Sequence, residues 1–228
     1  NPTGVAYSDE VVRRFAALKP AAKDFRIFWD NAYAIHHLYE DESKQEKILN
    51  ILEECEKAGN PDMVYEFAST SKVSFPGSGV AAMATSKANI AFIKKQMGIQ
   101  TIGYDKINQL RHVKFFKDFD GVKAHMMKHA ALLRPKFDAV LSMLDKELKD
   151  AEIAAWTKPQ GGYFISLDVM EGCAKKVVSM CKDAGMILTG AGATYPYGKD
   201  PKDSNIRIAP SYATPEDLVK ASKILIVC

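Results

Sequence analysis

Ser8, Asp9 and Glu10, followed by Val11, Val12, Phe15, Ala16 and Leu18 at helical spacing, predict a capped amphipathic helix near the start of the chain. The apolar run Phe25-Arg26-Ile27-Phe28-Trp29 predicts a short buried strand ending at Asp30. A charged, helix-compatible segment over residues 44–58, closed by Gly59-Asn60-Pro61, separates it from a second strand over 63–68. Strands alternating with helices predict an α/β domain with a mainly parallel sheet. Residues 121–149 carry Met126, Ala130, Leu133, Phe137, Val140, Leu141, Leu144 and Leu148 on one helical stripe. Pro135 inside that stripe predicts a kink or a break, because its ring removes one backbone donor. The texture then changes. Short strands around Ala151–Trp156, Gly162–Leu167 and Ile206–Ala209, with helices near 172–184 and 214–226, predict a second, smaller α+β domain.

Composition narrows the class without naming an activity. The chain has 228 residues, 47% of them hydrophobic and 26% charged, with a formal net charge of +3. Such a balance argues against a nucleic-acid or membrane surface, and Lys44-Gln45-Glu46-Lys47 reads as a solvated helix face. No apolar run reaches the ~18 residues a membrane span needs, and no signal peptide is visible. Cys55, Cys173, Cys181 and Cys228 form no CxxC pair and no ligand spacing, so they read as buried reduced thiols in a cytoplasmic protein. The chain lacks an initiator methionine, and its last residues, Ile224-Leu225-Ile226-Val227-Cys228, stop inside an apolar pattern without a cap. Both ends read as cut from a longer protein.

The candidate chemistry centres on Ser69-Thr70-Ser71-Lys72, after the second predicted strand and before the small-residue loop Pro76-Gly77-Ser78-Gly79. An amine beside hydroxyls and backbone amides suits pyridoxal 5'-phosphate (PLP), which needs a Schiff-base lysine and a phosphate anchor together. Asp30 sits at the carboxyl end of a strand, where open α/β sheets place ligands, and could keep the pyridine nitrogen protonated. Tyr33 and Asn1 could bond the phenolic oxygen of the ring, and Ser69 and Ser71 could donate to the phosphate. Arg207, in Asn205-Ile206-Arg207-Ile208-Ala209-Pro210, could grip a substrate carboxylate with a bidentate fork. Each of these residues also has a plain reading: a turn for Asn1-Pro2-Thr3-Gly4, a strand-end cap for Asp30, packing for Tyr33, a surface arginine for Arg207.

The order of the four motifs resembles fold-type I PLP enzymes, specifically class I/II aminotransferases, with N-P-T-G, D-x-x-Y, S-x-S-K and a late arginine. The fuller wording around Ser71–Ala82 and Tyr195–Pro210 is similar to a bacterial aspartate-aminotransferase-like subgroup related to the aminotransferase domains of MocR-type regulators. The resemblance covers essentially the whole chain. It implies a three-layer large domain, with residues 1–120 as the C-terminal part of the PLP-binding domain and 121–228 as a long linking helix and small C-terminal domain. It also implies transfer of an amino group from an α-amino acid of aspartate or glutamate type to a 2-oxo acid, in a homodimer when full length. Two departures stand out. Many aminotransferases place a phosphate-clamping arginine eight residues after the lysine, where this chain has Val80. Ser78, the Gly77–Gly79 amides and the N-terminus of a following helix are the expected substitutes. The segment that precedes N-P-T-G in the family, with its ring-stacking aromatic and phosphate loop, is absent, so the chain alone is expected to be inactive.

Competing motifs carry less. Ser69-x-x-Lys72 matches a β-lactamase nucleophile motif, but the partners S-D-N and K-T-G are missing. Gly77-Ser78-Gly79-Val80-Ala81-Ala82 resembles a dinucleotide fingerprint without the acidic residue that should follow. His125 and His129 lie four apart with no carboxylate to complete a zinc site, and His36, His37 and His112 show no partner pattern. The rival function is an effector-sensing domain of a MocR-type regulator, which a winged-helix module upstream would identify.

Overall fold

The computed structural model describes residue 1 and residues 3–228. Pro2, within the first motif, lies outside them. The chain divides into two compact units, one built from 6–35 and 47–126, the other from 1–5, 36–46 and 127–228.

In the first of these, Ser8 caps α1 (Asp9–Ala16) by accepting the Val11 N–H at 3.4 Å. Strand β1 (Ile27–Asp30) pairs in parallel with β2 (Val64–Ser69), in the register Ile27 with Val64 through Asp30 with Phe67. Helix α2 (Ile51–Lys57) makes the crossover between them, its first turn closed by the Asn50 side chain. Strand β3 (Ala81–Ala84) then pairs antiparallel with β2. The expected parallel pairing thus holds for one of the two ladders. Val12, Ala16, Trp29, Ile51, Cys55, Met63 and Val64 form the core, each contributing on the order of 1–3 kcal/mol by burial. The Tyr7, Phe15 and Trp29 rings meet edge-on or tilted at 5.5–5.9 Å beside it.

Strand β1 is not buried on both faces as its composition predicts. Trp29 points into the core while Phe28 is 74% exposed, its ring against Tyr65 and Phe67 on the same face of the sheet. Period-2 alternation puts neighbouring side chains on opposite faces, and among the described residues the face of Trp29 and Val64 is covered while that of Phe28 and Phe67 is exposed. Strand β3 was not expected either: no helix follows Val80 directly, and α3 (Lys87–Gln100) begins only after the cap residue Ser86. Ala81-Ala82-Met83-Ala84 is a helix-forming sequence, and its pairing with β2 overrides that preference. Helix α4 (Lys106–Phe116) completes the unit with the first turns of α5 (Phe119–Glu147).

Pro135 does not break α5, which is continuous from Phe119 to Glu147. A proline costs a helix interior about 3 kcal/mol. Phe137, Val140, Leu144 and Leu148, all buried just beyond it, more than offset that loss. In the second unit these side chains pack on the antiparallel sheet of β4 (Ala154–Trp156), β5 (Ile165–Val169) and β6 (Asn205–Ile208), in that order. Ile165, Leu167, Ile206 and Ile208 supply the sheet's share of the core. Helices α6 (Ala174–Asp183) and α7 (Pro215–Val227) contribute Ala174, Cys181, Leu218 and Leu225. No helix among the described residues is long and apolar enough to cross a membrane. All four cysteines are free, but only Cys55 and Cys181 are fully buried; Cys173 and Cys228 are half-buried. Burial, with a contribution from neighbouring Cys228, pushes the Cys181 thiol up to about 12.

Candidate functional site

Parallel pairing of β1 with β2 brings two of the four motifs to one edge. Asp30 is the last residue of β1 and Ser69 the last of β2. The ladder continues one step further, with Asn31 N–H donating to the Phe67 carbonyl at 2.8 Å and the Asn31 side-chain amide donating to Glu66 Oε1 at 2.7 Å. The Asp30 carboxylate is exposed and accepts the Ala32 N–H at 3.1 Å, which turns the chain toward Tyr33. On the neighbouring strand end, the Ser69 and Ser71 hydroxyls are 2.8 Å apart. Lys72 follows, with Nζ 5.1 Å from the centroid of the Tyr33 ring.

The loop after Lys72 folds back on this segment. Thr70 N–H donates to the Val80 carbonyl at 2.9 Å, and Val80 N–H donates to Thr70 Oγ1 at 2.8 Å. Gly79 is required by close approach, because a Cβ there would sit 2.9 Å from Ser71 N and Cα. The expected substitutes for a clamping arginine fare differently. Ser78 lies in this returning loop, but its N–H is spent on the Phe75 carbonyl at 3.0 Å. The helix N-terminus does not contribute, since β3 occupies the positions after Val80.

Asn1 and Arg207 belong to the other unit and meet there. Arg207, on β6 opposite Ser166, donates through Nη1 to Asn1 Oδ1 at 3.2 Å and through Nη2 to Thr189 Oγ1 at 3.4 Å. Its guanidinium lies 4.6 Å over the Phe164 ring, a cation–π contact. Arg207 Nε is buried without a hydrogen-bond partner among the described residues. Gly4 explains how the first motif reaches this arginine. At φ +67°, its missing side chain lets the backbone press against the Phe164 carbonyl, just before β5.

The backbone leading into β6 is organised by Asp200 and by Asn205, the first residue of the fourth motif, neither of which is given a role by the motifs. The Asp200 carboxylate accepts the N–H groups of Lys202, Ser204 and Asn205 at 2.8–3.0 Å. Burial alone would raise its carboxyl, but these backbone donors prevail and hold it below the usual carboxylate range. Asn205 is buried and donates through Nδ2 to Ser166 Oγ and Asp168 Oδ1, both at 2.8 Å, while Thr194 donates to its Oδ1 at 3.1 Å. An Asx residue two to five positions ahead of backbone donors is a turn signal legible in sequence.

His112, for which the sequence shows no partner pattern, contacts the Ser69–Lys72 motif directly. Its Nε2 is 2.7 Å from Thr70 Oγ1. His125 Nε2 is 3.0 Å from the Val73 carbonyl, and its ring packs edge-on against Phe115 and Phe116. No group of three His, Cys, Asp or Glu side chains among the described residues could hold a metal ion.

The comparisons with known proteins agree with the motif order. The profile of the aspartate amino-transferase family matches residues 1–228. An aspartate aminotransferase of Corynebacterium glutamicum is 45% identical over 228 residues, covering 100% of this chain and 52% of that protein. The crystal structure of an aspartate transaminase from the same organism superposes with a TM-score of 0.95 at 44% identity, covering 100% of this chain and 53% of that one. The kynurenine aminotransferase of Pyrococcus horikoshii, solved in complex with PMP, shares the fold at a TM-score of 0.79 and 21% identity, covering 99% of this chain and 52% of that one. The chain therefore spans about half the length of the relatives it matches. With its motifs in family order and the family profile running from end to end, this chain belongs to the aspartate amino-transferase family.

Proposed function

We propose that the protein carrying this chain is a pyridoxal-phosphate-dependent aminotransferase that moves an amino group from an α-amino acid, of aspartate or glutamate type, to a 2-oxo acid. The observation that carries the reading is the arrangement of Lys72. Its amine stands 5.1 Å over the Tyr33 ring, on the turn after β2, with Asp30 at the end of the adjacent parallel strand. The donor set fits the cofactor: an amine, a carboxylate, a phenol and paired hydroxyls at the carboxyl edge of parallel strands.

When bound, PLP supplies an electron sink that acidifies the substrate Cα–H. Lys72 would hold the cofactor covalently and, once displaced by the substrate amine, move the Cα proton. Asp30 would keep the proton on the pyridine nitrogen by charge pairing. Tyr33 and Asn1 would bond the ring oxygen, and Ser69, Ser71 and Ser78 would anchor the phosphate. Arg207, oriented by Asn1, Thr189 and Phe164, would bind the substrate α-carboxylate. Within the family's three-layer fold, we assign residues 1–120 to the cofactor-binding domain and 121–228 to the linking helix and small domain, with segments 1–5 and 36–46 packing into the latter's unit. A cytoplasmic homodimer is the assembly we propose for the full-length protein. The regulator reading is not favoured, because the family profile spanning the chain is that of an aminotransferase.

The test uses the full-length protein. Adding PLP should produce a visible absorbance band that borohydride abolishes, leaving the label on Lys72, and the loaded protein should transfer amino groups from aspartate or glutamate to 2-oxoglutarate or oxaloacetate. A label on Lys87 or any other lysine would overturn the assignment. Covalent loading without amino transfer would favour the sensing domain.

A further inference from the structure

The turn that carries Lys72 is met from outside by two imidazoles, His112 at its two ends and His125 at the Val73 carbonyl, 3.0 Å from its Nε2. Residues Thr70 to Ser74 close on themselves: the N–H groups of Val73 and Ser74 donate to the Thr70 carbonyl at 3.0 and 2.8 Å, and Ser74 Oγ donates to the same oxygen at 3.0 Å. Lys72 is the middle residue. His112 Nε2 lies 2.7 Å from Thr70 Oγ1; Ser74 Oγ is 3.1 Å away, but its one hydrogen goes to the Thr70 carbonyl, so the ring holds the turn through Thr70.

The direction of these bonds follows from their neighbours. His112 Nδ1 is 2.9 Å from the Asn108 carbonyl, which can only accept, so Nδ1 carries the hydrogen and Nε2 of the neutral ring is an acceptor. Thr70 Oγ1 already accepts from Val80 N–H, which leaves its own hydrogen to donate to Nε2. A single chain of donation thus runs from Val80 N–H through the Thr70 hydroxyl and the His112 ring to Asn108, each bond polarising the next. Asn108 also reaches the far side of the loop, its side-chain amide donating to the Ser78 carbonyl at 2.7 Å. Both anchors come from α4, a rigid element.

We propose that His112 is a positioning residue for Lys72: through its Nε2 acceptor it fixes the Thr70–Ser74 turn, so that the lysine amine and the Ser69 and Ser71 hydroxyls are set in one geometry before a ligand arrives. The proposal rests on the reading of Lys72 as the cofactor lysine. Its physical content is preorganisation. An exposed side chain on a loop must lose conformational freedom on binding, and a turn ordered beforehand leaves less to lose. His112 also lies tilted against Phe116, with ring centroids 5.8 Å apart, so simple packing is the competing role.

The experiment separates the two in the full-length protein. His112→Phe keeps a ring and removes the acceptor, whereas His112→Gln keeps an acceptor. Thr70→Val removes the hydroxyl and Thr70→Ser restores it. Each apo-protein is titrated with pyridoxal phosphate, the rate of borohydride-trappable attachment at Lys72 is followed, and apo-protein melting is recorded. His112→Phe and Thr70→Val should each weaken cofactor binding by about three- to tenfold and slow attachment, as loss of one hydrogen bond predicts. The Gln and Ser variants should recover most of both, and the Phe/Val double variant should be no worse than either single one. Nitrogen-15 spectra of the apo-protein should show His112 protonated at Nδ1. Wild-type affinity and attachment rate in His112→Phe, additive losses in the double variant, or a proton on Nε2 would each overturn the proposal. Should His112→Phe not fold, the Thr70→Val and Thr70→Ser pair decides by the same criteria. Absence of attachment at Lys72 in the wild type would instead remove the functional reading on which the proposal rests.

Discussion

Replacing Gly4 by alanine probes the link between the first motif and Arg207 with a perturbation of one methyl group. Two penalties combine. At φ +67° an alanine sits in the left-handed region, which costs an L-residue roughly 1–2 kcal/mol. The added Cβ would also overlap the Phe164 carbonyl oxygen and approach Pro159 Cβ to 3.2 Å. Carbon contacts settle near 3.5–4.0 Å, so the backbone at residue 4 must move by roughly 1 Å. That motion draws Asn1 away from Arg207, whose Nη1 donates to Asn1 Oδ1 at 3.2 Å. Gly185→Ala is the matched control: φ is +89°, and a Cβ there meets nothing within 4 Å, so it carries the conformational strain without the clash. Both variants should melt at lower temperature than the wild type. Only Gly4→Ala should lose turnover, with kcat/KM for the amino-acid substrate falling up to about 10²-fold for a displacement of this size. Equal kinetics in the two variants of the full-length protein would refute the claim that Gly4 positions Asn1 against the arginine.

Three further outcomes are expected. Arg207→Ala should weaken binding of every α-amino acid by a similar factor, on the order of 2–5 kcal/mol as for removal of one member of a buried charge pair, while unchanged kinetics would leave the arginine a structural role. Asp200 is held below its ordinary value of 3.8, so its contribution to folding is complete above that value and disappears as pH falls through the lowered one. Urea unfolding should accordingly show Asp200→Asn weaker than the wild type at pH 7 and indistinguishable from it in strong acid; an equal deficit at both would refute the linkage. Residues 1–228 expressed alone should show no amino transfer and should self-associate through the sheet face that exposes Phe28 and Phe67. Turnover matching that of the full-length protein would contradict this.

Local signals were legible wherever the interaction is itself local. Ser8 capping α1 and Asp30 closing β1 follow from short-range chemistry, and structure bears out both. The residues proposed around Lys72 were named from the order of the motifs, since each side-chain type taken alone also has a plain reading. What escaped was settled by partners distant in sequence. Ala81–Ala84 is a strand only because β2 offers an edge. His112 acquires its role from Thr70, which helix α4 meets only after folding. The exposure of Phe28 depends on which sheet face is covered, and alternation alone does not encode that.

The parallel ladder of β1 and β2 makes the candidate site a reporter of folding. Asp30 and Lys72 approach each other only once two strands separated by a helical crossover have paired, a non-local step that is slow to form and absent from the unfolded chain. A ligand that requires both residues would therefore bind the folded ladder and ignore the unfolded state. Mass action then ties occupancy to stability: the melting temperature should climb with the logarithm of cofactor concentration. Cofactor supply would set how much of the protein stays folded, as well as how much of it is active.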